Sequence, residues 1–229
     1  MNHKQPAVKR TALIMAGGKG LRMGTSLPKQ FLLLNDKPVL MHTLSAFYAL
    51  DATIRLILVL PDGHKSYWSS LCREYHFLVP HELVSGGSCR FESVQNGLAV
   101  AGEEGLIAIH DGVRPLVTTS LIQRCFEAAH QHGAVIPVMP VIESLRLLEA
   151  AGNRAVDRGA YRLVQTPQTF QAEWIQRAYR EAKSTDFTDD ASVAQAAGWP
   201  IHLVEGERHN LKITEAADLQ LAAWYLNNQ

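Results

Sequence analysis

The chain lacks most of the features that mark secreted, membrane-bound or nucleic-acid-binding proteins. Its three cysteines, Cys72, Cys89 and Cys125, are odd in number and match no zinc spacing, so we expect free thiols in a cytoplasmic protein. It shows neither a signal-peptide pattern nor an apolar run long enough to cross a bilayer, which predicts no membrane partner. Basic and acidic residues number 22 each. The resulting net charge of zero disfavours nucleic acid as a partner but allows a local basic pocket.

The composition is that of a single globular domain. Of the 229 residues, 47% are hydrophobic, and no repeat, linker or low-complexity segment interrupts them. Short apolar runs alternate with segments of helical periodicity. The runs predict strands at 12–15, 54–60, 106–110, 134–138 and 201–204, and the periodic segments predict helices at 38–50, 90–101, 119–131 and 173–183. This alternation predicts an α/β fold with a mostly parallel sheet in one domain, 1–229.

The stretch 12–29 is the most informative part of the chain. A buried strand runs into a loop with glycines at positions 17, 18, 20 and 24, which leaves backbone N–H groups open to a ligand. Lys19, Arg22 and Lys29 add positive charge at the carboxyl end of that strand. The combination predicts a phosphate-binding loop.

Three kinds of phosphate loop can be compared with this stretch. A P-loop is excluded because no Gly-Lys-Ser/Thr follows a correctly spaced glycine. A dinucleotide fingerprint begins at Gly18 but has Met23 at its third glycine position, and the next strand ends too far away, at Leu60, to supply a ribose-binding acid. A nucleotidyltransferase loop, in which Arg22 and Lys29 neutralise a triphosphate, fits best. A structural turn with solvated cations is the less favoured alternative.

A second glycine turn, Gly86-Gly87-Ser88, precedes the helix at 90–101 and places Ser93 in its first turn. Backbone N–H groups at such a helix start can meet a base edge or a phosphate. The alternative is a purely structural helix start with Ser88 as the N-cap. Because the chain also contains the first glycine loop, we favour the functional interpretation of this second turn.

The predicted strand at 106–110 is followed by Asp111, at the edge where open parallel sheets bind ligands. Asp111 can hold a divalent cation that is bound to a triphosphate. Arg114 can instead pair with Asp111 and fix its rotamer. For His110 we favour a buried, hydrogen-bonded core histidine over a ligand.

The alternation of strand and helix stops after residue 138. Segments 143–149 and 155–164 flank a turn at 151–154 and predict a β-hairpin that projects from the sheet, an arm spanning 139–164. Residues 165–170 are interpreted only as the return of the chain to the body. The last helix is expected to begin with Thr214 as its N-cap.

Seven blocks in order resemble the 2-C-methyl-D-erythritol 4-phosphate cytidylyltransferase family, whose members act in non-mevalonate isoprenoid synthesis. The blocks are AGGKGLRM, PKQ, GG…R..SV, HDGVRP, VDR…QTPQ, TDDAS and NLKIT. Each block is weak alone, but the set is specific, and the similarity extends over about residues 12–225.

The resemblance implies a Rossmann-like fold of the nucleotide-diphospho-sugar transferase type and a homodimer in which each arm embraces the partner. It implies CTP and a polyol phosphate as substrates and Mg²⁺ as the cation, held mostly by phosphate oxygens with Asp111 as its candidate protein ligand. The implied catalytic residues are Arg22, Lys29, Arg158 and Lys212. The implied nucleotide-binding residues are Ala16, Gly17, Gly18, Gly87, Ser88, Ser93, Asp111 and Gly112. The implied acceptor-binding residues are Asp111, Arg114, Ser144, Arg158, Thr166, Thr188 and Lys212.

Two departures from the family pattern bear on function. Gly112-Val113 stands where many members have Ala-Ala or Ala-Val, and Glu143-Ser144 on the arm stands where Asp-Thr is common. The resemblance implies that Ser144 and Arg158 reach the neighbouring subunit's site. The arm departure therefore leaves open a different acceptor, such as ribitol 5-phosphate. A non-catalytic nucleotide-binding protein on the same fold is the other alternative.

Overall fold

The structure is a computed structural model that describes residues 8–18 and 27–228. The main sheet contains β1 (Arg10–Met15), β4 (Arg55–Leu60), β5 (Glu82–Ser85), β6 (Leu106–Asp111), β7 (Ala134–Pro140), β10 (Arg162–Val164), β11 (Gln168–Gln171) and β12 (His202–Glu205). Two small ribbons pair β2 (Leu33–Leu34) with β3 (Lys37–Pro38) and β8 (Leu145–Glu149) with β9 (Gly152–Val156). The helices are α1 (Val39–Leu50), α2 (Asp62–Glu74), α3 (Arg90–Ala101), α4 (Thr119–His132), α5 (Ala172–Glu181), α6 (Asp190–Ala196) and α7 (Ala216–Asn227).

The strands follow the order β5-β4-β1-β6-β11-β7, and β12 pairs with the other side of β7. Strand β1 lies between β4 and β6 and is parallel to both, with Ile14 in register with Leu58 and His110. Strand β11 is antiparallel to β6 and β7, and β10 pairs antiparallel with the end of β7. The predicted α/β fold with a mostly parallel sheet is confirmed.

Helices cover both faces of the sheet. On one face, Ile14 and Leu58 pack in a core with residues of α1, α2 and α4, including Trp68. On the other, Leu13 and Ile57 pack with residues of α3, α5 and α6. Because both faces are covered, the central strands are almost entirely apolar instead of alternating. No helix in the described part of the chain combines the length and hydropathy of a membrane span.

The arm differs from the predicted hairpin in its second half. Strands β8 and β9 do form a separate antiparallel ribbon, with Leu147 opposite Arg154. The predicted strand over 155–164 is wrong, because the chain leaves the ribbon at Asp157. The carboxylate of Asp157 accepts from the backbone N–H of Gly159 at 2.9 Å and caps a 3-10 turn. The chain then returns to the main sheet as β10, which finds main-chain partners at the end of β7.

Two smaller expectations and one alternative also need correction. The segment 165–170, interpreted only as a return of the chain, belongs in its second half to strand β11 (Gln168–Gln171), which is too short and too polar to show a pattern. Thr214 is not the N-cap of α7, since Glu215 takes that place in a reciprocal capping box with Asp218. The alternative in which Ser88 is the N-cap of α3 is excluded, because Cys89 occupies the N-cap position.

Candidate active site

The carboxyl ends of β1 and β6 meet beside a cleft of about 280 Å³. The backbone N–H of Gly112 donates to the carbonyl of Met15 at 2.8 Å and joins the two strand ends. The cleft is lined by Arg90, Asp111, Arg114, Val164, Gln165, Thr166, Gln168, Thr188, Asp189 and Lys212. Five of the residues predicted for the site, Asp111, Arg114, Thr166, Thr188 and Lys212, are therefore brought together.

Asp111 is the charged centre of this cleft. Its Oδ2 lies 3.1 Å from Nε of Arg114 and 3.2 Å from Nζ of Lys212. Burial by itself raises the pKa of Asp111, but the charges of Lys212, Arg114 and Arg90 outweigh it and lower the pKa to about 2. The carboxylate is therefore ionised at neutral pH, and it orders two cations at one oxygen.

A buried hydrogen-bond chain fixes the backbone of Asp111. The hydroxyl of Thr166 accepts from the N–H of Asp111 at 3.2 Å and lies 2.9 Å from Nδ1 of His110. Nε2 of His110 faces the carbonyl of Arg114 at 3.3 Å. Burial lowers the pKa of His110 to about 3, so the ring is neutral. His110 is thus the hydrogen-bonded core histidine that the sequence favoured. Thr166 contacts the backbone of Asp111 and so holds that residue in place.

The two cations beside Asp111 differ in their access to the cleft. The Lys212 side chain is 42% exposed, whereas the Arg114 side chain is 11% exposed and also donates to the carbonyl of Asn210 at 2.8 Å. Arg114 is therefore committed to the protein, while Lys212 can meet a ligand without losing its position.

The first glycine loop is described as far as Gly18. A Cβ built on Gly18 would lie 3.9 Å from Cε of Lys29, so the two predicted site residues are neighbours. Gln30, which is fully buried, donates its amide to the carbonyl of Ala16 at 2.9 Å and ties the loop to the segment that carries Lys29. The predicted site residue Arg22 lies outside the described residues.

The second glycine turn is held by side chains of α3. The hydroxyl of Ser93 accepts from the N–H of Gly87 at 3.0 Å, and the carboxylate of Glu92 accepts from the N–H of Ser88 at 2.7 Å. A Cβ on Gly87 would lie 2.3 Å from Cβ of Glu92, so this position accepts no side chain. A Cβ on Gly17 would lie 3.9 Å from the Ser93 hydroxyl, which places the two glycine turns side by side.

Packing explains the glycine at position 112. A Cβ there would lie 3.0 Å from Cδ1 of Leu40, 3.1 Å from the carbonyl oxygen of Met15 and 3.2 Å from Cβ of Ala16. A larger residue at this position, such as alanine, is therefore disfavoured by the neighbours that this chain places around it.

Two predicted residues are not brought to this cleft within one subunit. Ser144 and Arg158 lie in the arm, and neither is among the described residues that line the cleft. The guanidinium of Arg158 donates to the carbonyl of Ile142 in the same arm.

Sequence reasoning assigned no role to a group of paired side chains next to the cleft. Arg90 pairs with Asp190, and Gln168 donates to Asp189, although these partners are far apart in the sequence. Arg90 and Asp190 fall within the blocks GG…R..SV and TDDAS, but nothing in a single sequence indicates that the two blocks meet.

A larger hollow, about 1080 Å³, lies at the opposite edge of the sheet near the start of β1 and β4. Its cations are already engaged, since Lys9 pairs with Glu104 and Arg55 pairs with Glu82. The smaller cleft is the better candidate because its charges converge on one point at the carboxyl edge, where such sheets bind ligands.

The fold, the paired glycine turns and the cation-rich cleft define an α/β enzyme of the nucleotidyltransferase class. The family described as "IspD: 2-C-methyl-D-erythritol 4-phosphate cytidylyltransferase" matches residues 11–228, and the chain belongs to this family. The enzyme of that name from Bacteroides thetaiotaomicron is 53% identical over 94% of this chain and 99% of its own length. That from Porphyromonas gingivalis is 52% identical over 96% and 99%. The crystal structure of the Thermus thermophilus enzyme is 34% identical, with a TM-score of 0.79 over 96% of this chain and 99% of that one.

Proposed function

We propose that the protein joins CTP and 2-C-methyl-D-erythritol 4-phosphate to give 4-diphosphocytidyl-2-C-methyl-D-erythritol and pyrophosphate. One observation carries the assignment within this family. The Asp111 carboxylate holds the ammonium group of Lys212 at the mouth of the cleft, where an anionic acceptor can reach it.

The reaction brings together two anions. A phosphate oxygen of the acceptor forms a bond to the α-phosphorus of CTP, the bond from that phosphorus to the bridging oxygen breaks, and pyrophosphate leaves. No covalent intermediate on the protein is required. Lys29, beside Gly18, faces the triphosphate, and Lys212 holds the acceptor phosphate. Their positive charge orients both substrates and opposes the negative charge that develops in the transition state.

The residues of the cleft fit Mg²⁺ as the cation. Among residues 8–18 and 27–228, no group of three or more His, Cys, Asp or Glu side chains is arranged to hold a metal ion. Mg²⁺ commonly keeps several waters and binds one or two carboxylates together with substrate phosphates. Asp111 is the carboxylate we assign to it, and the bound ion would neutralise part of the triphosphate charge.

We further place Ser144 and Arg158 in the partner's site of a homodimer. Both residues lie on the arm, and neither lines the cleft of its own subunit. The arm, including β10, also carries exposed apolar side chains, among them Leu148, which is 81% exposed, and Leu163. Such a surface favours burial against another chain.

The cytoplasmic location stays a prediction.

The assignment can be tested by pyrophosphate release from CTP and Mg²⁺, with methylerythritol 4-phosphate and ribitol 5-phosphate offered in parallel. We expect a strong preference for methylerythritol 4-phosphate. Preference for ribitol 5-phosphate would keep the chemistry but reassign the acceptor, and would point to Glu143 and Ser144 as the specificity element. Binding of CTP without turnover of either acceptor would support the non-catalytic alternative.

A further inference from the structure

We propose that Arg90, Asp190 and Tyr179 form a positioning unit for the acceptor, in which Asp190 and Tyr179 are buried and Arg90 is half-buried. The unit fixes the turn at 188–189, on one wall of the cleft, relative to Asp111 on the other. This inference rests on the proposed function, because it assigns the turn to the acceptor subsite.

Asp190 is the centre of the unit. It is 0% exposed, and both of its carboxylate oxygens are engaged. Oδ1 accepts from Nη1 of Arg90 at 2.8 Å and from the Tyr179 hydroxyl at 2.6 Å, and Oδ2 accepts from Nη2 of Arg90 at 2.5 Å. A buried carboxylate needs such partners, and the two-pronged contact with an arginine also fixes its orientation.

The backbone around Asp190 is held from the sheet as well. Gln168, which is 1% exposed, accepts through Oε1 from the N–H groups of Asp190 at 3.0 Å and Ala191 at 2.8 Å. Its amide nitrogen donates to Oδ2 of Asp189 at 2.9 Å. The segment is thus fastened to strand β11 by Gln168 and to helix α3 by Arg90.

These attachments connect the two ends of the proposed active site. Arg90 stands in the first turn of α3, immediately after the second glycine turn, and lines the cleft together with Thr188 and Asp111. Both terminal nitrogens of Arg90 donate to Asp190, so the guanidinium holds the turn in place. Loosening the unit would let Thr188 move away from Lys212 without removing any group that touches the reacting atoms.

The test is the variant Tyr179→Phe, which keeps the ring and removes one hydrogen bond to Asp190. We expect KM for the acceptor to rise about tenfold, while kcat stays within about threefold and CTP affinity, measured by calorimetry, within about twofold. Arg90→Lys, which keeps the charge but loses the two-pronged contact, should act in the same direction. Tyr48→Phe, at an exposed tyrosine of α1, is the matched control and should leave all three quantities unchanged.

A merely structural role gives a different result. A loss of stability lowers the melting temperature. It also lowers the active fraction and therefore the apparent kcat, but it leaves KM unchanged. That pattern in Tyr179→Phe, with a wild-type acceptor KM, would overturn the inference while the proposed function stands. If the unmodified protein releases no pyrophosphate with either acceptor, the proposed function fails and the positioning role fails with it.

Discussion

The ammonium group of Lys212 lies 3.2 Å from Oδ2 of Asp111, and the same oxygen faces Arg114. With its pKa lowered to about 2, Asp111 cannot serve as an effective general base near neutral pH, since a base works best with a pKa near the operating pH. An acceptor phosphate is already anionic and needs no such base. The geometry therefore assigns to Asp111 the positioning of the two cations, Arg114 and Lys212.

The low pKa of Asp111 predicts its contribution to stability. The pKa is about 2 in the folded protein against a reference value of 3.8, so the contribution is complete above the reference value and is lost as the pH falls through about 2. Roughly 2 kcal/mol of unfolding free energy should disappear over this range, because one pKa unit corresponds to about 1.4 kcal/mol. Urea unfolding of the wild type and Asp111→Asn between pH 5 and pH 2 measures it. The same pH dependence in both proteins would contradict the assignment.

Two threonines on adjoining segments give a matched pair. Thr166→Val removes the hydroxyl between His110 and the Asp111 backbone, and we expect a loss of about 1–3 kcal/mol because two buried groups lose their partner. Turnover should also fall, about ten- to a hundredfold, as Asp111 shifts. Thr169 is equally buried, but its hydroxyl has no hydrogen-bond partner among the described residues. Thr169→Val should therefore cost no stability in chemical unfolding, and equal losses in both variants would refute this account.

Two glycines should respond to alanine in opposite directions. At Gly87 a Cβ would lie 2.3 Å from Cβ of Glu92 and 3.0 Å from its carbonyl carbon, so we expect Gly87→Ala to cost about 1–3 kcal/mol and to weaken CTP binding. At Gly63, in α2, nothing lies within 4 Å of the added atom. Gly63→Ala should stabilise the protein by up to about 1 kcal/mol. Thermal unfolding with and without CTP separates the two effects.

The sequence predicted those features that depend on local pattern. The apolar strands and the helices over 90–101 and 119–131 appear nearly as expected, since burial on both faces leaves a clear signal. Strand β11 was not predicted, because its pairing with β6 and β7, and not its own composition, makes it a strand. The ion pair between Arg90 and Asp190 was not predicted for the same reason, because a contact between distant segments is specified by the fold.

The catalytic role of Lys29 can be tested with a control lysine, Lys9, at the opposite edge of the sheet. We expect Lys29→Ala to abolish turnover, with a loss of at least about 10²–10³, because the group opposes charge in the transition state. The fold should survive, as judged by circular dichroism and the melting temperature. Lys9, which pairs with Glu104 far from the cleft, gives the control Lys9→Ala, which should keep normal activity. A near-normal kcat in Lys29→Ala would remove Lys29 from the catalytic set.

A shared active site can be detected by mixing two inactive proteins. If Arg158 of one subunit completes the site that contains Lys212 of the other, Lys212→Met and Arg158→Met should each be inactive as homodimers. In a mixed dimer, one site combines both lesions and the other has both wild-type side chains. Random exchange of subunits at equal amounts should therefore restore about one quarter of wild-type activity, since half the dimers are mixed and each has one intact site. If both residues acted within one subunit, every site in the mixed dimer would carry one lesion, and pyrophosphate release would stay at background.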